Sequence, residues 1–328
     1  MGFHEHNGAV KRILLAAAIA AGMSAGHSAQ ALEPLAMTYV PANAVYWDLD
    51  VAIERGFFRD EGFSPSIVSM QSSPGGIQEA VGHSVQLAGG SPEPSIEAYE
   101  HGATDIGFIG APVRGVDWTL NVLPSIKSLA DLKGKTIGVS AIKGGELALT
   151  RALLAKGGLK PGDYDVIQVG VSPLKLAAMK RGSIAAAALF QPSGLLARKI
   201  GFPVLIDFTT VPSYPYPTYT VGRSWAHAQN NGKRLARAIV RAQKWLADRH
   251  NRQDAIAVLG KYTKSTPDIL NATYDMYFVK PKIMDGDGKL DLAGMRRLLA
   301  IIKAQGDLSG TPDPGTFVIP AADGGLYR

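Results

Sequence analysis

The chain has no cysteine among its 328 residues. That excludes disulfides, thiolate metal sites and a cysteine nucleophile, and it leaves no thiol for attaching a lipid. Histidine is sparse. Past the first thirty-one residues only His83, His101, His227 and His250 remain, with no His-x-x-x-His or His-Glu pairing, so neither a metal centre nor a cofactor is expected. No glycine cluster makes a phosphate loop around Gly194 and Gly201. Charge is mild, +6 formally, and spread along the chain without a block of one sign, which says little for nucleic acid. After Gly22 no apolar run is long enough to cross a bilayer.

The one concentrated apolar run lies at the start. Met1–Arg12 is polar and ends in Lys11-Arg12, Ile13–Gly22 is Ile/Leu/Ala-rich, and Met23–Ala31 ends Ala29-Gln30-Ala31. A basic region, an apolar core of about ten residues and a small-x-small site predict a secretory signal peptide cut after Ala31. Its loss removes Glu5, Lys11 and Arg12 and takes the formal charge from +6 to +5. A secreted, unanchored, cysteine-free protein points to the periplasm of a double-membraned bacterium.

The rest alternates short β-rich runs with helical patterns. Strands are expected at Ala36–Val40, Phe63–Met70, Val85–Ala88 and Asp105–Gly110. Between them come a helix over Tyr46–Arg55 ended by Gly56, a loop over Ser72–Gly76, a tight turn at Gly89-Gly90, and a helix after Ser91-Pro92. The pattern restarts at Lys135–Ser140 and runs through Val204–Phe208. After the Pro/Tyr-rich stretch Val211–Thr220 come amphipathic helices at Arg234–His250, Asp254–Tyr262, Pro267–Tyr277 and Asp291–Gln305. This predicts an α/β fold with two units, each a mainly parallel sheet flanked by helices.

The run Ile126-Lys127-Ser128-Leu129-Ala130-Asp131-Leu132-Lys133-Gly134-Lys135-Thr136-Ile137-Gly138-Val139-Ser140 resembles a signature of periplasmic solute-binding proteins of the nitrate, taurine, alkanesulfonate and thiamine-pyrimidine group. Glu54–Phe63, His101–Phe108 and Leu176–Ile184 are similar to other segments of that family. The resemblance implies the two-lobed type II periplasmic-binding fold. Lobe 1 would be 32–120 with 209–328, and lobe 2 121–208, with a ligand cleft between them. It also implies an ABC-importer component, monomeric, not membrane-anchored and not an enzyme, that serves permease subunits driven by a cytoplasmic ATPase. Its ligand would be a small polar or aromatic solute of the sulfonate, carboxylate or pyrimidine class. The alternatives are an enzyme of the thiamine-pyrimidine-synthase type on the same fold, or a periplasmic sensor partner. Two lobes on two linkers, near Arg114–Val122 and Thr209–Val221, suggest closure about a hinge.

Ligands of open α/β sheets sit beyond the carboxyl ends of the strands. That selects Asn43, Tyr46 and Trp47; Gly75 and Gly76; Ser91 and Glu93; Gly144, Gly145 and Glu146; Gln191; and Tyr214 and Tyr216. Ser91 is expected to cap its helix, whose free N–H groups suit a polar oxygen. Gly144-Gly145 would let a ligand approach the backbone. Tyr46 and Trp47 are adjacent on a helix and cannot face one way, so at least one is free for the cleft. Tyr214-Pro215-Tyr216-Pro217 reads as a stiff hinge or a stacking wall. Glu93 and Glu146, if they point inward, oppose a bare anion and favour N–H or cationic groups, whereas Lys143 and Arg114 favour an acid. Otherwise the two glutamates stabilise helix dipoles on the solvent side.

Overall fold

The computed structural model describes residues 31–328 apart from 71, 212, 213, 281, 305, 307 and 309. The expected leader, save its last residue, lies outside the described residues. Two mixed five-stranded sheets organise the chain. The first joins β1 (Glu33–Tyr39), β2 (Phe63–Ser69), β3 (Leu87–Gly90), β4 (Ile106–Gly110) and β10 (Thr218–Gly222) in the order β2-β1-β3-β10-β4. The second joins β5 (Thr119–Val122), β6 (Thr136–Val139), β7 (Asp165–Gln168), β8 (Ala186–Leu189) and β9 (Val204–Asp207) in the order β7-β6-β8-β5-β9. Two sheets, each with helices packed on it, agree with the expected two-lobed α/β fold.

Each sheet is parallel except for one strand. β10 runs antiparallel between β3 and β4, and β5 runs antiparallel between β8 and β9. Both are supplied by the segments that cross between lobes. The expected linkers therefore end as central, fully buried strands, β5 in the second sheet and β10 in the first.

The helices follow the sequence rules with local corrections. A turn at Ala44–Tyr46 leads into α1 (Trp47–Glu54), and Gly56 ends it in the left-handed region at φ 75°. The short α2 (Phe57–Asp60) leads to β2. α3 (Ser73–Val81) begins three residues before Gly76, so Gly75 and Gly76 lie in its first turn rather than in a loop. Gly89 and Gly90 belong to β3, not to a turn. A Cβ on Gly89 would stand 2.7 Å from the Tyr46 ring, so glycine is what lets the strand pass under that tyrosine.

α4 (Pro92–Glu100) follows β3. The second lobe contributes α5 (Gly145–Lys156), α6 (Ser172–Lys180) and α7 (Ser193–Lys199). The C-terminal part adds α8 (Arg223–His227), α9 (Asn231–Ala247), α10 (Arg252–Thr263), α11 (Pro267–Phe278) and α12 (Leu292–Ala304).

α9 buries Leu235, Ala238, Ile239, Ala242 and Leu246, one helical stripe. It packs with α1, α10 and α11 on the first sheet, in a core that includes Leu35, Met37, Trp47, Tyr274 and Tyr277. A second core runs through the junction of the lobes. It joins Ile96 and Phe108 of the first sheet's layer to Trp118, Leu120, Ile137 and Phe190 of the second, together with Met295 and Leu298 of α12. α12 therefore packs at the junction, as does α11, whose Asp268 and Tyr277 reach Lys199 and Asp117.

Candidate functional site

The carboxyl ends of both sheets meet. The amide of Ala44, after β1, donates to the Gln191 carbonyl, after β8, at 2.8 Å. The amide of Gly145, at the start of α5, donates to Ser91 Oγ at 3.1 Å. Lys143 Nζ lies 3.5 Å from Glu97 at the exposed rim, and Lys199 Nζ lies 2.6 Å from Asp268 farther out.

At the centre, half-buried Glu93 accepts from Ser91 Oγ and from the Tyr214 hydroxyl. Burial raises the Glu93 carboxyl above its usual value, against the pull of those two hydroxyls and the Gly145 amide. The same burial, with the carboxylate beside it, holds the Tyr214 hydroxyl well above its usual value. Ser91 occupies the N-cap position of α4 but makes no capping bond to its helix's amides; its hydroxyl is used across the cleft instead. Glu93 thus faces the other lobe rather than solvent. A Cβ on Gly145 would stand 2.6 Å from Glu93 Oε1 and 3.0 Å from the Tyr214 hydroxyl. Gly144, at φ 110°, precedes it as the N-cap of α5.

Glu146 points into the second lobe. It accepts from Lys175 Nζ at 2.8 Å, from Ser140 Oγ at 2.5 Å and from the Ser140 amide at 3.2 Å. Lys175 is wholly buried, also touches Ser140 Oγ at 3.0 Å, and lies 5.4 Å over the Phe190 ring. Burial pulls its ammonium below the usual lysine value and Glu146 opposes that pull. Arg114 pairs with Asp285 and Lys143 with Glu97, so both cations expected near an acid group are engaged elsewhere.

The remaining expected residues divide. Asn43 accepts from the Val45 amide at 3.2 Å and caps the turn before α1. Tyr46 is buried against Tyr39, ring centroids 5.0 Å apart. Trp47 is corrected to core: its indole N–H donates to the Ala255 carbonyl at 3.0 Å and its ring meets Tyr274, Tyr277 and Phe278. Gly75 lies against Met70, and Gly76 against Thr38. Tyr216 stacks on Phe190 at 5.6 Å and meets Trp118 edge-on at 4.7 Å. It is a wall between the lobes, and Trp118 and Phe190 complete it.

Two buried groups, Asp117 and Lys175, were not expected from the sequence. Asp117 Oδ2 accepts from the Tyr277 hydroxyl at 2.6 Å and from the Gln191 amide at 3.2 Å, while its Oδ1 has no partner. Burial raises its carboxyl to about 6. Gln191 is fully buried, and its Nε2 also has no partner. Lys175 could have been noticed as a lysine between Leu174 and Leu176 on a helix that covers a sheet; Asp117 carries no comparable signal. Two hollows of about 580 and 430 Å³ lie elsewhere, beside Lys127 and Arg198 and along α9 by Arg237 and Arg241.

A model of the NMT1-like family matches residues 28–260. The nitrate/nitrite binding protein NrtA of Nostoc sp. (strain PCC 7120) is 27% identical over 134 residues, 40% of this chain but only 30% of NrtA. The alkanesulfonate-binding protein SsuA from Xanthomonas axonopodis pv. citri, bound to MOPS, superposes with a TM-score of 0.71 at 18% identity over 88% of this chain and 98% of its own. The desulfurization enzyme DSZB superposes with a TM-score of 0.65 at 16% identity over 88% of this chain and 96% of its own. At these identities the structural likeness is one of fold.

Proposed function

The chain belongs to the NMT1-like family, and from that premise we propose that it is the solute-capturing component of an ABC-type importer. It takes a small polar or aromatic organic solute between its lobes, closes, and offers the closed form to membrane permease subunits powered by a cytoplasmic ATPase. It works as a monomer in the periplasm, exported by its N-terminal leader. Among the described residues no helix is long and apolar enough to cross a membrane.

The observation that carries this reading is the bond from the Gly145 amide to Ser91 Oγ. It joins the strand-end loops of two lobes whose only covalent links are the crossing segments. Such loops are where open α/β sheets receive ligands. Moving such a hinge from 1:99 to 99:1 takes a differential affinity of about 10⁴-fold, so the solute itself must bridge both lobes.

A second reading has one observation in its favour, the shared fold with DSZB. Here the buried lysine is locked onto Glu146 and the chain has no cysteine, so the usual nucleophiles of the cleft are reduced to hydroxyls.

Native mass spectrometry of the purified chain tests the capture reading, with an unmodified co-purifying small molecule as the expected result. A thermal-shift panel and X-ray scattering should then show a raised Tm and a smaller radius with that molecule. Turnover of it to product would favour the enzyme instead.

A further inference from the structure

Resting on the capture reading, we propose that the cleft selects a solute that presents N–H donors or a positive charge and rejects nitrate- and sulfonate-type anions. Glu93 is the specificity-determining residue and Asp117 the second acceptor.

The N-terminus of α5 is the natural seat for an acid group in the second lobe, because its first amides point at the cleft. That seat is taken. The carboxylate of Glu93, carried on the first lobe, lies against Gly145, with distances to a Cβ there of 2.6 and 3.0 Å for its two oxygens. Its bonds come from neutral donors, the Ser91 and Tyr214 hydroxyls. Of the cations that could have reversed the local sign, Lys175 is buried against Glu146, Arg114 pairs with Asp285, and Lys143 stands at the exposed rim 3.5 Å from Glu97.

Asp117 adds an independent observation. It is fully buried where the lobes touch, beside Gln191, whose carbonyl receives the Ala44 amide. Its Oδ1 is without a partner. An unsatisfied buried carboxylate oxygen is costly, and a donor on a bound solute is one way to satisfy it. The partnerless Gln191 Nε2 allows the same solute one acceptor. Tyr216, Phe190 and Trp118 provide an aromatic wall for a flat apolar part. Among the described residues the two groups named here are acids, so an anion bound beside either would meet a carboxylate, whereas an amine or amidine would meet an acceptor.

The test is calorimetric titration of the purified chain with two series of opposite charge, benzylamine and benzamidine against benzenesulfonate, benzoate and nitrate, with scattering radius measured in parallel. At least a hundredfold preference for the amine and amidine is expected. E93Q should lower their affinity at least tenfold and narrow the gap between the series; D117N should lower it with the fold intact by circular dichroism. Tight binding of benzenesulfonate or nitrate with closure overturns this inference and leaves the capture reading standing. A preference unchanged in both variants overturns the assignment to Glu93 and Asp117. Failure of every solute to shift Tm or radius overturns the capture reading, and this inference with it.

Discussion

Lys175 Nζ lies 2.8 Å from Glu146 Oε1, with side-chain exposures of 0% and 7%. An ion pair this dry is held by its partners rather than by water. Removing one charge leaves the other buried and uncompensated, which typically costs about 3–5 kcal/mol. K175M should therefore lower the urea midpoint strongly at unchanged m, whereas K175M combined with E146L should recover most of the loss. Equal destabilisation in single and double variants would show that packing, not charge, holds this corner.

The closed arrangement depends on the absence of a side chain at Gly145. In Gly145→Ala the new methyl would meet Glu93 Oε1 at 2.6 Å and the Tyr214 hydroxyl at 3.0 Å. Contacts this short force a shift, and the atoms that must give are the Glu93 carboxylate and the Tyr214 hydroxyl, which lose their places beside the α5 N-terminus. The expected result is at least tenfold weaker solute binding, with Tm within a few degrees of the parent. Unchanged affinity would mean that the cleft tolerates the methyl.

Much of this arrangement was legible in the sequence. Alternating strand and helix patterns gave both sheets, and the rule of strand ends selected Ser91, Glu93, Gly145 and Tyr214, which meet at the cleft. What local pattern could not provide was direction. Tyr46 and Trp47 are neighbours, yet Trp47 turns into the core because α10 offers it a carbonyl at 3.0 Å. Glu93 and Glu146 hold equivalent places in the first turns of their helices, but one faces the opposite lobe and the other a lysine 29 residues away. β5 and β10 read as linkers because a central antiparallel strand of four or five residues has no periodicity to show.

Among the described residues three aspartates, Asp48, Asp50 and Asp117, are buried without a cation beside them. Tyr219 and Gln243 donate to Asp48, Tyr39 to Asp50, and Tyr277 to Asp117. Burial raises Asp48 and Asp117 to about 6 and Asp50 to about 8. A raised acid binds its proton more tightly folded than unfolded. Its contribution is complete below the unfolded value near 3.9 and is lost as pH rises through the folded one. Stability should therefore increase as pH falls from about 8.5 to 5. D50N should flatten the upper part of that rise. A Tm that falls steadily from pH 8.5 to 5 would contradict the protonation of these groups in the fold.

Trp118 reports on the hinge. It belongs to the segment leading into β5, and its ring lies 4.8 Å from Phe190 of the second lobe and 4.7 Å from Tyr216 on the returning crossover. The other tryptophan near α1, Trp47, is locked among α11 side chains of one lobe and has no reason to change on closure. Opening should part Tyr216 from Phe190 and admit water to the Trp118 indole, shifting its emission to the red; solute binding should shift it back. Trp118→Phe keeps an aromatic ring, and it sacrifices no hydrogen bond because Trp118 Nε1 has no partner. That variant should remain folded, at a cost of about 1–3 kcal/mol for the lost ring volume, and should lose most of the solute-dependent signal. If the signal survives in Trp118→Phe and disappears in Trp47→Phe, the moving element is α1 with its C-terminal helices, and the hinge is not where the two crossing segments run.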